Sequence, residues 1–239
     1  MDVCGFTVCV FPIIIAEILY PFERMKGTFI VLEGPDGSGT TSHAKMLAAS
    51  LITLGKRVFL TGEPTDGPIG KYIRHTLSGG ETMPAEALQL LFCADRSMHV
   101  QKDILPALER EDIVISDRYY PSTIAYGEAL GLDRAWLTDI NAHFPTPDIL
   151  LLALPPIAVC LKRLAEREQL DMLEVDSLQG RVHSAYQRWS REHPEIPVID
   201  TSRDKDAVAV EIRSVVLEHL SRGKDAEHSV VIPKGIASR

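Results

Sequence analysis

The stretch with the clearest chemistry is 34–41, GPDGSGTT. It follows the apolar run Phe29-Ile30-Val31-Leu32 and precedes a helical pattern of Ala44, Leu47, Ala48 and Leu51. Strand, glycine-rich turn, helix is the setting in which such a motif holds phosphate. The glycines let the backbone curl so that successive N–H groups face an anion, with the positive end of the helix behind them. Gly34, Asp36, Gly37, Ser38, Gly39, Thr40 and Thr41 are therefore the candidate phosphate-binding residues. Against the pattern G-x-x-x-x-G-K-[ST], Thr41 stands where the hydroxyl meets magnesium, and Thr40 stands where the lysine would be. Glycines alone are equally the mark of a tight β–α turn with no ligand.

Further along, Asp117-Arg118 directly follows the buried run Ile113-Val114-Ile115. An aspartate there can orient magnesium or its waters, and an arginine can grip a phosphoryl oxygen through two N–H groups. A surface ion pair at a strand end is the alternative. Phe92 and Arg96 are spaced i, i+4, so one helix face carries both. A ring beside a guanidinium suits a planar base, by stacking and by a hydrogen bond to a carbonyl. On spacing alone, a core phenylalanine with Leu88 and Leu91, and an arginine paired to a carboxylate, is the stronger reading. Ser122 and Tyr126 repeat the i, i+4 spacing one turn past Arg118, as pocket hydroxyls or as a helix-start serine and a packed tyrosine. Arg163 and Arg167 lead into the charged stretch 168–176. They suit a segment that closes over polyphosphate, or a solvated helix face with Glu166 and Glu168.

Positioning these groups takes a scaffold. From Met25 the chain alternates short apolar runs with amphipathic helices, which predicts a five-stranded parallel sheet with helices on both faces. The strands fall at 28–32, 57–61, 113–115, 149–154 and 196–199. The helices fall at 42–54, 69–77, 84–99, 122–130, 133–143, 157–167, 178–191 and 206–220. Ligands of such a sheet gather at the carboxyl ends of the strands. That draws together 34–41, Glu63-Pro64, Asp117-Arg118 and the loop after Ile199.

Composition bounds the rest. With 239 residues there is room for one full α/β core. The net charge of −8 argues against a nucleic-acid-coating surface, while leaving open an arginine-lined cleft for a small anion. Cys4, Cys9, Cys93 and Cys160 have neither a CxxC pair nor metal-ligand spacing and read as thiols of a reducing, cytoplasmic setting. The apolar stretch Val8–Leu19 is too short to span a bilayer and contains Pro12 and Glu17. Residues 1–24 read as an extension outside the core, of the kind an upstream start codon would add, with an extra strand or a partner-binding segment as the alternative. The core is expected over 25–221, and 222–239 as a polar tail.

Taken in order, the motifs resemble the thymidylate kinase family of nucleoside-monophosphate kinases. The matching stretches are Glu33–Thr41, Glu63-Pro64, LLFCADR (Leu90–Arg96), SDRYYPSTIAY (Ser116–Tyr126), Arg163–Glu174 and Val198–Ser202. The resemblance implies a P-loop NTPase-type three-layer α/β/α fold with a short lid. It also implies a homodimer, and transfer of the ATP γ-phosphoryl group to dTMP with Mg2+. Phe92 would stack on thymine and Arg96 would bond its carbonyl edge, with Glu63, Ser122 and Thr123 in the same acceptor pocket. Arg118 would bind the acceptor phosphate, Asp36 the 3′-hydroxyl, and Tyr126 would crowd the 2′ position. Thr41 and Asp117 would place magnesium, Arg163 and Arg167 would come from the lid, and Thr201-Ser202 would lie by adenine. Two departures stand out: Thr40 for the loop lysine, and Asp171-Met172-Leu173-Glu174 where the family's lid often reads D-R-x-E. Lys45 or a lid arginine would then have to supply the missing charge. A kinase for another deoxynucleotide, or a nucleotide-binding protein without turnover, are the alternatives these departures raise.

Overall fold

Runs of Val, Ile and Leu bounded by glycine or charged residues form the strands β1 (Thr28–Glu33), β2 (Val58–Gly62), β3 (Ile113–Asp117), β4 (Ile149–Ala153) and β5 (Val198–Ile199) in a computed structural model that describes residues 27–167 and 171–222. The extension at 1–24 and the tail past Arg222 lie outside the described residues. All neighbouring strands are parallel, in the order β2-β3-β1-β4-β5. The winding reverses across β1, so its carboxyl end opens on a crevice of the kind that holds ligands in such sheets. Register fixes what lies in that crevice. Leu32 pairs with Asp117 on one side and Leu151 on the other, which sets the start of the glycine loop beside Asp117-Arg118.

Alternate residues of a strand point to opposite faces, and here both faces are buried. Ile30, Leu32, Ile115 and Leu151 pack under α1 (Thr40–Thr53) and α9 (Lys205–Arg222). Phe29, Val31, Val114 and Leu150 pack on the other side against Val100, Ile104 and Tyr119. The remaining helices are α2 (Pro68–His75), α3 (Ala85–His99), α4 (Leu105–Glu109), α5 (Tyr120–Ala129), α6 (Arg134–Asp139), α7 (Ile157–Ala165) and α8 (Asp176–Glu192). A third cluster joins α2, α3, α5 and α8 through Ile73, Leu88, Tyr126, Val182 and Tyr186. This is the P-loop NTPase-type α/β/α arrangement.

Three boundaries differ from the sequence expectation, each for a local reason. The long helix continues past His99 through a widened turn (Val100–Ile104) into α4, because Pro106 has no N–H for an ordinary helical bond. The helix begun at Arg134 ends at Asp139 and dissolves into single turns, such as Phe144 N–H to Asn141 O. The last strand is only Val198–Ile199, since Pro197 can accept from Leu152 N–H but cannot donate.

Candidate active site

The glycine loop leaves β1 and enters α1 with Gly39 at the helix N-cap in the left-handed region, φ 91°. Gly37, at φ 76°, passes so close to α7 that a Cβ would sit 2.5 Å from the Cys160 carbonyl oxygen. Only glycine fits there. The loop is braced from behind by Thr201, whose hydroxyl donates to Ser38 O at 2.6 Å. Arg163 donates to Gly37 O at 3.0 Å and to Thr201 O at 2.7 Å, tying the loop to the turn after β5. Ser202 lies on the outer side of that turn, its N–H donating to Asp200. Thr40 is buried at the first turn of α1, whereas Lys45 is exposed on the helix flank. Of the cations the sequence offered in place of the lysine, Lys45 and the lid arginines Arg163 and Arg167, Arg163 is the one that touches the loop.

At the end of β3, Asp117 Oδ2 accepts from the Thr41 hydroxyl at 2.5 Å. Its other oxygen, Oδ1, is buried and has no hydrogen-bond partner among the described residues. Arg118 follows in the left-handed region at φ 73°, a conformation rarely adopted by a side-chain-bearing residue outside functional turns. From there its guanidinium donates to Gly34 O at 2.7 Å, Asp36 Oδ1 at 2.6 Å and Ser122 Oγ at 3.2 Å. The turn is held from beneath by Glu33, fully buried at the end of β1. Glu33 accepts from Tyr119 N–H at 2.6 Å, Ser122 Oγ at 2.8 Å and the Tyr186 hydroxyl at 2.7 Å. Burial raises the Glu33 pKa, opposed by the Arg118 charge and these hydrogen bonds.

A cavity of about 140 Å³ opens beside Arg118, lined by Asp36, Glu63, Gln89, Phe92, Arg96, Ser122, Thr123, Tyr126, Asp171 and Leu173 among others. Phe92 is half-buried on its wall. Arg96 is only 1% exposed and largely engaged by protein: Glu63 Oε2 accepts from Nε at 2.9 Å, Asn141 from Nη1 at 2.5 Å, and Thr123 Oγ1 from Nη2 at 3.0 Å. Arg96 thus has the carboxylate expected of a buried arginine and also lines the cavity with Phe92. Glu63 also meets His99 Nδ1 at 3.0 Å. Tyr126 is buried, and its hydroxyl accepts from Asp36 N–H at 3.1 Å.

Asp171 and Leu173, from the segment 171–174, line this cavity. Met172 N–H donates to Leu77 O, Leu173 is buried, and Gln179 Nε2 donates to both Leu173 O and Asp36 Oδ2. Arg167 pairs with Glu174 rather than with the loop. Burial pushes the Asp171 carboxyl up to about 6, against hydrogen bonds from Leu173 and Glu174 N–H. A larger groove, about 620 Å³, runs from Thr41 and Asp117 along the outer edge of β2.

A family model described as thymidylate kinase matches residues 32–212. A probable thymidylate kinase of Pyrococcus horikoshii is 39% identical over 202 residues, covering 82% of this chain and 98% of the relative. The probable thymidylate kinase of Thermococcus kodakarensis is 40% identical over 197 residues (79% and 96%). The thymidylate kinase of Xanthomonas oryzae pv. oryzae is 37% identical over 196 residues (82% and 85%). The chain belongs to the thymidylate kinase family.

Within this thymidylate kinase scaffold, sequence reasoning passed over Glu33, Gln89, Asn141, Gln179 and Tyr186, which contact or line the site. Glu33 carried a readable signal, a carboxylate closing an otherwise apolar buried strand. So did Gln89, a polar residue i, i+3, i+7 from Phe92 and Arg96. Asn141 and Gln179 reach the site only through tertiary packing, and spacing gives no sign of them.

Proposed function

We propose that this chain transfers the γ-phosphoryl group of ATP to the phosphate of dTMP, giving dTDP and ADP. The observation that carries this reading is Arg118, whose guanidinium joins the glycine loop at Gly34 and Asp36 and also lines the Phe92–Arg96 cavity. A phosphate held there would lie between a nucleoside pocket and a polyphosphate loop. The acceptor is already an anion, so no side chain need act as a strong base. An acceptor phosphate oxygen forms a bond to the γ-phosphorus as the bond to the β–γ bridging oxygen breaks. The protein contributes alignment and fixed charge.

Thr41 and Asp117 fit magnesium. Both offer hard oxygen donors, and the buried, unpartnered Asp117 Oδ1 leaves coordination capacity beside the loop. Among the described residues there is no cluster of three or more His, Cys, Asp or Glu that could hold a metal. That matches an ion held by one or two protein oxygens together with substrate phosphates. When bound, the ion would neutralise charge on the transferring phosphates. Phe92 would cover the flat face of the base, with Tyr126 and Asp36 toward its sugar, since all three line the one cavity. The family resemblance also supports a homodimer, which sedimentation would read directly. The thiols Cys93 and Cys160 suit a reducing cytoplasm. No helix of the described residues is long and apolar enough to cross a membrane.

The test is ADP release with Mg-ATP and dTMP, alongside Arg118→Ala and Thr40→Lys. Turnover that vanishes in Arg118→Ala is expected. Thr40→Lys is expected to raise kcat, by up to roughly 100-fold, because it adds a cation where transition-state charge develops. Binding of dTMP without turnover in the unaltered protein would move its role to nucleotide binding.

A further inference from the structure

Gln89 sits on the cavity-facing side of α3, three residues before Phe92 and seven before Arg96, and lines the same cavity. Its side chain is fully buried, yet neither Oε1 nor Nε2 has a hydrogen-bond partner among the described residues. Buried amides are nearly always paired, because leaving donor and acceptor unmade forfeits their hydration without return. The neighbouring polar groups differ sharply in this respect. Arg96 engages Glu63 through Nε and Nη2, Asn141 through Nη1 and Thr123 through Nη2. Those four contacts leave one of its five N–H groups, and a guanidinium has no acceptor at all. Both Glu63 oxygens are taken, by Arg96 and by His99. Of Gln89, Arg96 and Glu63, only Gln89 keeps both a donor and an acceptor wholly unengaged among the described residues.

We propose that Gln89 reads the imide edge of the acceptor's pyrimidine base, with Oε1 accepting from the ring N3–H and Nε2 donating to a flanking carbonyl. The inference rests on the kinase reading above and assigns a further specificity-determining residue within it. An imide edge is a donor between two acceptors, and a primary amide is its two-point complement. The last N–H of Arg96 serves a ring carbonyl, and Phe92 covers the ring face. The base thereby meets an acceptor that Arg96 cannot provide. A site built with polar groups that are paired only in the complex rejects ligands lacking the matching atom far better than an apolar wall does.

The test compares dTMP with its N3-methyl derivative by calorimetry, in the unaltered protein and in Gln89→Met, an apolar substitution of similar length. Expected in the unaltered protein is at least a tenfold loss of affinity on N3-methylation. In Gln89→Met, dTMP should weaken by a similar factor while the penalty for N3-methylation largely disappears. The ligand-free variant should melt no lower than the unaltered protein, since it gives up no hydrogen bond among the described residues and Met fills a similar volume. A second measurement needs no variant: the Gln89 side-chain amide resonance should shift with dTMP and stay in place with deoxyribose 5-phosphate. An unchanged N3-methyl penalty in Gln89→Met, or an amide signal indifferent to the base, overturns the assignment. So does a Gln89→Met chain that melts lower or fails to fold, which would make Gln89 a structural residue. An unaltered protein that binds no dTMP removes the acceptor reading itself, and this inference with it.

Discussion

Arg118 Nη2 lies 2.6 Å from Asp36 Oδ1, a contact that links the end of β3 to the middle of the glycine loop. The two residues are distant in sequence and adjacent only because β1 and β3 pair in register with Leu32 opposite Asp117. One guanidinium thereby fixes the loop backbone at Gly34, the loop carboxylate at Asp36 and the pocket hydroxyl of Ser122. Lysine would keep the charge and lose the fork. Its Cβ asks nothing new of the left-handed backbone at this position. Arg118→Lys is therefore expected to fold normally and to lower kcat/KM for dTMP by roughly 100-fold or more. Steady-state kinetics beside a melting curve would check it. A near-normal kcat/KM would mean that charge alone suffices.

On the proposed kinase reading, Arg163 should distinguish the two substrates. Its contacts are carbonyls of Gly37, Ser38 and Thr201, on the loop and on the turn after β5, and it does not line the Phe92 cavity. Arg163→Ala should raise the KM for ATP roughly tenfold, since hydrogen bonds from a charged donor contribute about 1.5–3 kcal/mol. The KM for dTMP should stay within about twofold. Equal effects on both substrates would contradict this division of labour.

The scaffold was readable because its signals are local. All five strands follow from short apolar runs, and the loop follows from glycine spacing ahead of a helix. What was not readable depends on contacts between distant segments. Arg96 looked from its spacing like a core arginine with a carboxylate or like a base-binding group. Folding gives it the carboxylate and also a place on the cavity wall, since Glu63 arrives from the end of β2 and Asn141 from beyond α6. For Arg163 and Arg167 the spacing leaves open a closing segment or a solvated helix face; in the fold Arg163 lies against the loop and Arg167 turns to Glu174. Helical spacing gives the face of a residue, and the partner waiting on that face belongs to the tertiary structure.

The Glu63–Arg96 pair predicts a stability effect distinct from catalysis. Both side chains are almost wholly buried, at 3% and 1% exposure, and Glu63 is the carboxylate facing that guanidinium. Removing one charge of such a pair leaves the other buried and uncompensated, a cost of about 3–5 kcal/mol. Glu63→Gln should accordingly lower the melting temperature by roughly 10 °C. Adding Arg96→Met to Glu63→Gln should recover part of that loss, because the orphaned charge is gone. A double variant no more stable than Glu63→Gln would contradict the account.

Asp171 gives the pH dependence of the segment 171–174. Its folded-state pKa is raised from 3.8 to about 6, chiefly by burial, with the Asp36 and Glu174 charges adding to the rise. A raised carboxyl holds its proton to higher pH in the folded chain than in the unfolded one. Its ionisation therefore costs the folded state nothing below pH 3.8, a growing amount between 3.8 and about 6, and a constant amount above. Asparagine keeps the side-chain oxygen that accepts from Leu173 N–H at 2.8 Å and removes the charge. Asp171→Asn should melt higher than the unaltered protein above pH 6, with the gap closing as the pH falls toward 4. Melting curves across that range read the sign directly. A gap that widens at low pH would show that the Asp171 charge is stabilising where it sits, and a constant gap would show that its ionisation does not bear on stability; either contradicts the account.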